Sequence, residues 1–105
     1  PVLGIVENMA YYKTENDKEK HYIFGKDGAK NLAEDFKIPF LGEIPIIQQI
    51  RESADVGRPL SLDDDSDVAL IYNEITKKMI KFLVERNKNL PPTEILKIKT
   101  MAGCQ

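Results

Sequence analysis

Few positions in this 105-residue sequence carry side chains placed for chemistry. Asn8 ends the apolar run Val2, Leu3, Ile5, Val6. Its amide offers both a donor and an acceptor, so it can read the edge of a purine. It can equally close a turn by bonding nearby backbone. Glu7 and Glu43 each stand at the end of an apolar run and can be neighbours across a sheet, which alone does not make an acid–base pair. "FGKDGAKNL" joins glycines to lysines, but Gly25 and Gly28 stand too close for the phosphate-loop spacing, and Asn31 follows Lys30 where Ser or Thr is needed. Helix initiation is the reading left for it. His21 is the only histidine and has no second His or Cys nearby, which argues against zinc. Cys104, the only cysteine, forms no intrachain disulfide and has no motif around it. It reads as a bystander thiol in a reducing compartment.

The elements that must hold these residues follow from periodicity. The run Val2–Val6 is unbroken, as in a strand buried on both faces. Tyr11–His21 with Tyr22 is charged and reads as a solvated excursion. A helix is predicted from Asp27, with Ala29, Leu32, Ala33 and Phe36 on one face and Pro39 beyond its end. "PFLGEIP" predicts a strand at Phe40–Ile44. A second helix turns Ile47, Ile50 and Ala54 inward, with Gly57 as left-handed cap and Pro59 as stop. Acids from Asp63 to Asp67 precede the strongest helix, which holds Val68, Ile71, Tyr72, Ile75, Met79, Phe82 and Leu83 in period. Lys77, Lys78, Lys81 and Arg86 later in it suit the helix dipole. Past Pro91 and Pro92, Glu94–Lys99 alternates and predicts a half-exposed edge strand. Strands alternating with helices imply an α/β fold, partly doubly wound, with a mostly parallel sheet.

Composition narrows the partners. Net charge is −2, from 15 basic and 17 acidic residues, which gives no electrostatic footprint for nucleic acid. No apolar stretch reaches the roughly 20 residues of a membrane span, so no membrane partner is expected.

"VLGIVENMA", "HYIFGKDGAKNLAE", "PFLGEIP", "IRESADVGRPL" and "PPTEILKIKTMAGC" occur in an order that resembles Mrp (ApbC-like) proteins. These are ATPases of the MinD/ParA-like deviant P-loop group, linked as carriers to iron–sulfur cluster assembly. The resemblance covers nearly the whole chain. It implies that residues 1–105 form the C-terminal portion of one ATPase domain, with the phosphate loop and the switch residues for ATP and Mg²⁺ upstream. It carries an adenine contact onto Asn8 and base-packing positions onto Pro45, Ile46 and Ile47. It implies no catalytic residue and no metal ligand in this segment, a cytoplasmic location, a homodimer in the full-length form and iron–sulfur acceptor proteins as partners. Many members carry a Cys-x-x-Cys soon after the "ENM" segment, assigned to a cluster shared between subunits. Here "YYKTENDKEKHY" has no cysteine, so a cluster is not expected on this loop. Two alternatives stay open: a positioning ATPase of MinD/ParA type and a non-catalytic α/β interaction domain. An amphipathic membrane helix or a basic face would mark the first, and neither is visible.

Overall fold

The computed structural model describes residues 1–14, 16–63, 65–96 and 98. Two parallel strands form the sheet, β1 (Ile5–Glu7) and β2 (Phe40–Glu43). Parallel strands need a crossover, and helix α1 (Gly28–Phe36) supplies it. α2 (Gln48–Asp55), a 3₁₀ turn (Leu60–Leu62) and the long α3 (Asp67–Asn89) follow. This is an α/β fold with a parallel sheet and flanking helices.

Register fixes the faces. Val6 pairs with Gly42, and Glu7 with Glu43, after an irregularity between Ile5 and Val6. Successive residues of a strand point to opposite faces. Gly42 faces α3: a Cβ built on it would meet Ile75 Cγ1 at 3.0 Å. Glu7 faces α1, with its Oε1 3.9 Å from the Cβ position of Gly28. The two helices thus cover opposite faces, the doubly wound arrangement. The small core is Ala10, Ala33, Leu41, Ile44, Val68 and Ala69.

Several expectations are corrected. β1 is shorter than Val2–Val6 and only half-buried, with Val2 exposed, because β2 is its only neighbouring strand among the described residues. α1 starts after Asp27, but Asp27 is left-handed and its side chain caps nothing. The helix ends at left-handed Lys37, ahead of Pro39. Of its predicted inner face only Ala33 is buried, and Phe36 is 67% exposed. Ala54 of α2 is exposed, whereas Ile50 is half-buried. Residues 94–96 and 98 form no strand; Ile95, Leu96 and Ile98 are 89%, 94% and 95% exposed, so the period-two pattern there finds no partner strand among the described residues. Lys97, Lys99 and Cys104 lie outside the described residues. No helix among the described residues is long and apolar enough to cross a membrane.

Candidate functional site

Ligands of open α/β sheets bind beyond the carboxyl ends of the strands. At that edge the two departing segments stay hydrogen-bonded. Ile44 N–H donates to Glu7 O at 2.8 Å, Ala10 N–H to Ile44 O at 2.9 Å and Ile46 N–H to Tyr11 O at 2.7 Å. Pro45 sits between the donors Ile44 and Ile46, where this pattern requires no N–H. Its ring therefore lies within a ladder without breaking it.

Beyond this ladder opens a groove of about 1050 Å³. Its apolar lining includes Tyr12, Pro45, Ile46, Ile47, Val68 and Ile71. Lys13, Thr14, Asp63 and Ser66 add polar groups. The groove is held on three sides. The ladder fixes Pro45–Ile47, and Tyr12 pairs with both His21 and Ile46. Ser66 anchors the start of α3 by accepting the Ala69 N–H at 3.0 Å.

Asn8 leaves β1 at the same edge but does not line the groove. It is exposed, and its Oδ1 accepts the N–H of left-handed Met9 at 3.0 Å. The turn role is therefore occupied. Its amide nitrogen makes no hydrogen bond among the described residues and is free to donate. Glu7 and Glu43 are register neighbours, and Glu7 Oε2 is buried with no hydrogen-bond partner among the described residues. That carboxylate lies beside the N-terminus of α1, whose dipole favours negative charge.

Glycines of "FGKDGAKNL" serve structure: Gly25 adopts φ +96° in the turn before α1, and Gly28 opens the helix. The charged excursion is clasped by the antiparallel Tyr12–His21 pair, with Tyr11 edge-on to Tyr22. Within it, His21 Nε2 lies 2.7 Å from Asp17 Oδ2. The hydrogen bond to Asp17 raises the His21 pKa, and the same bond, then the Glu19 N–H, lowers that of Asp17. Ligand atoms of Asp17, Glu19 and His21 fall within 4.8 Å of one another. His and Cys spacing alone does not reveal this group; carboxylates at i and i+2 with a histidine at i+4 are its signal. It offers oxygens and one imidazole, not the thiolates an iron–sulfur cluster prefers, so it does not fit such a cluster.

A family model described as "ParA: NUBPL iron-transfer P-loop NTPase" matches residues 1–80. The chain is 46% identical over 84 residues to an iron–sulfur cluster transfer protein NUBPL of Dictyostelium discoideum, covering 79% of this chain and 26% of that protein. It is 40% identical over 90 residues to an iron–sulfur cluster carrier protein of Aquifex aeolicus, covering 85% and 24%. With the carrier protein of Bacillus subtilis it shares 40% over 78 residues, covering 74% and 22%. The chain thus spans about a quarter of the length of these curated relatives. With several motifs in one order, a parallel α/β core and a model matching most of its length, the chain belongs to the NUBPL/Mrp/ApbC family of ParA-like P-loop NTPases.

Proposed function

We propose that this segment is the C-terminal, adenine-binding part of an ATP-dependent iron–sulfur cluster carrier. The longer protein acts as a cytoplasmic homodimer and passes clusters to acceptor proteins. The observation that supports this most is the hydrogen-bonded pair of strand exits. It holds Asn8, with a free amide donor, and the apolar Pro45–Ile47 at one carboxyl edge. A purine needs both kinds of group: apolar surface for its faces and a donor or acceptor for its edge. Asn8 would read the edge and Pro45, Ile46 and Ile47 would pack on the base. ATP with Mg²⁺ supplies the phosphoryl chemistry, and its phosphates are held by residues outside this sequence, which has no phosphate-loop motif. The cluster is cargo, and its thiolate ligands also lie outside the described loop.

The test is Asn8→Ala in the longer protein, read by ATP and GTP titration. Loss of one hydrogen bond to a buried base costs about 1–2 kcal/mol. ATP affinity is expected to fall five- to thirtyfold, by the energy-to-affinity conversion, and the preference for ATP over GTP to shrink. Unchanged affinity and preference would leave Asn8 with its turn role alone.

A further inference from the structure

Three aliphatic side chains past the end of α3 stand almost wholly in water. Ile95, Leu96 and Ile98 are 89–95% exposed, and the sequence sets Lys97 and Lys99 among them. Aliphatic surface gains by leaving water, so a run of this kind marks a contact. Its root is fixed: Arg86 Nη2 donates to Thr93 Oγ1 at 3.0 Å.

The groove at the carboxyl edge of the sheet has the matching character. Ile46, Ile47, Leu60, Val68 and Ile71 line it and are buried or half-buried. Glu52, Asp63 and Asp67 line it too, with Lys13 the only base among its described lining residues. The three carboxylates are exposed, and Asp63 and Asp67 make no ion pair among the described residues. A groove that is apolar and acidic suits an extended run that is apolar and basic.

The run cannot fill the groove of its own chain while Thr93 keeps its bond. At 1.5 Å per residue, Ile71 lies about 22 Å back along α3 from Arg86. Extended at about 3.3 Å per residue, Ile95, Leu96 and Ile98 reach about 7–17 Å past Thr93. Even a straight course along α3 brings only Ile98 to the mouth of the groove. A second copy has no such limit. Laid antiparallel along α3, it sets each run beside the other copy's groove, the reciprocal contact that two-fold symmetry requires. Ile80 and Val84 lie along α3 between the two sites, turned away from the sheet and 51% and 47% exposed, and the same copy would cover them.

We propose that residues 95–98 of a second copy of this chain dock in the groove between the Ile46–Ile47 segment and the start of α3, and that the exchange is reciprocal. This names a contact for the homodimer and rests on that part of the reading above. Pro45, Ile46 and Ile47 line the groove and pack on adenine in the same reading, so ATP and the docked run compete, and nucleotide opens the contact.

Thiol labelling of Ile98→Cys tests this in the longer protein, in a Cys104→Ser background and without nucleotide, the rate being read on that residue's own peptide by mass spectrometry. At high concentration the thiol is expected to react at least tenfold slower than after dilution. Leu96→Asp should abolish the slowing; its side chain is exposed in the single chain, so the fold does not depend on it. Asp63→Lys should weaken the slowing, and Lys97→Glu added to Asp63→Lys should restore it, a rescue that damage to the fold would not give. Fast labelling at every concentration would overturn the proposal. Slowing that persists on dilution would also overturn it and return the run to its own chain. Added ATP should release the thiol. Slowing that survives saturating ATP would keep the docking and sink the packing of adenine on Pro45, Ile46 and Ile47.

Discussion

The link between His21 and Asp17 is the clearest side-chain pair in the charged excursion, and it titrates. His21 has its pKa raised above 6.5 in the folded chain. Its share of stability is complete below that value and fades as pH rises through the raised one. Asp17 has its pKa lowered below 3.8, so its share is complete above that value and fades as pH falls through the lowered one. The pair is thus strongest in mildly acidic solution and lapses in alkali. Asp17→Asn should bring the His21 titration midpoint, followed by NMR, down toward its ordinary value; an unmoved midpoint would discard the pairing. Gly42 is a second single-residue case. Its φ is +153°, and an added Cβ would press on Ile75 at 3.0 Å. Gly42→Ala should destabilise by about 1–3 kcal/mol, and by less in an Ile75→Ala background, because the crowding atoms are then gone. Equal costs in both backgrounds, measured by denaturant unfolding, would remove the contact from the explanation. Asn8 was marked in the sequence by its place at a strand end, and Pro45, Ile46 and Ile47 by the resemblance to Mrp proteins. The carboxylate partners of His21 were not, because three charged residues in a polar loop look the same whether they converge or point into water.

Helix ends show which local signals act and which do not. α2 ends as its sequence predicts: Gly57, at φ +72°, donates to Ala54 O and Arg58 to Ser53 O, a paired closure that uses two carbonyls the helix leaves free. α3 starts on Ser66, which takes the Ala69 N–H, with Asp67 in the first turn and Arg86 and Lys88 in the last. The acidic run hid which residue is the cap, since Asp and Ser suit the position about equally. Ser66→Ala should cost about 1 kcal/mol, and Ser66→Gly only a few tenths. If denaturant midpoints of the two variants match the parent, the cap contributes nothing. α1 lacks a side-chain cap, and its apolar face is largely open, with Leu32 and Phe36 exposed. Period alone predicted that face as buried. Period reports which residues share a side, and burial depends on what lies opposite. The same distinction explains residues 94–96 and 98, where alternation is present and the described residues offer no pairing strand.

At the scale of the whole molecule, the fold class was legible because strand and helix signals alternate, and parallel pairing follows from the helical crossover. The extent of the core was not legible, because Val2, Ile80 and Val84 are apolar yet nothing among the described residues packs over them. That mismatch has a consequence for the 105-residue segment in isolation. The exposed apolar stripe Ile80, Leu83 and Val84 of α3, together with the open edge of β1, favours edge pairing and hydrophobic association, which short or charged edges resist. β1 has no charge before Glu7 at its end, Lys78 and Lys81 lie on the opposite flank of α3, and Lys77 and Lys88 border the stripe only beside Val84, so its Leu83 side stays unshielded. The isolated segment is therefore expected to self-associate as concentration rises. Ile80→Glu combined with Val84→Glu places two charges in the stripe without touching β1, and association should weaken at least tenfold. In the longer protein the same pair of substitutions lowers thermal stability if the rest of the domain packs on this flank, because the charges would then be buried without partners. Light scattering across a concentration series reads the first effect and a melting curve the second. A segment that stays monomeric throughout, or a longer protein whose melting temperature ignores both glutamates, would show that this flank of α3 faces water.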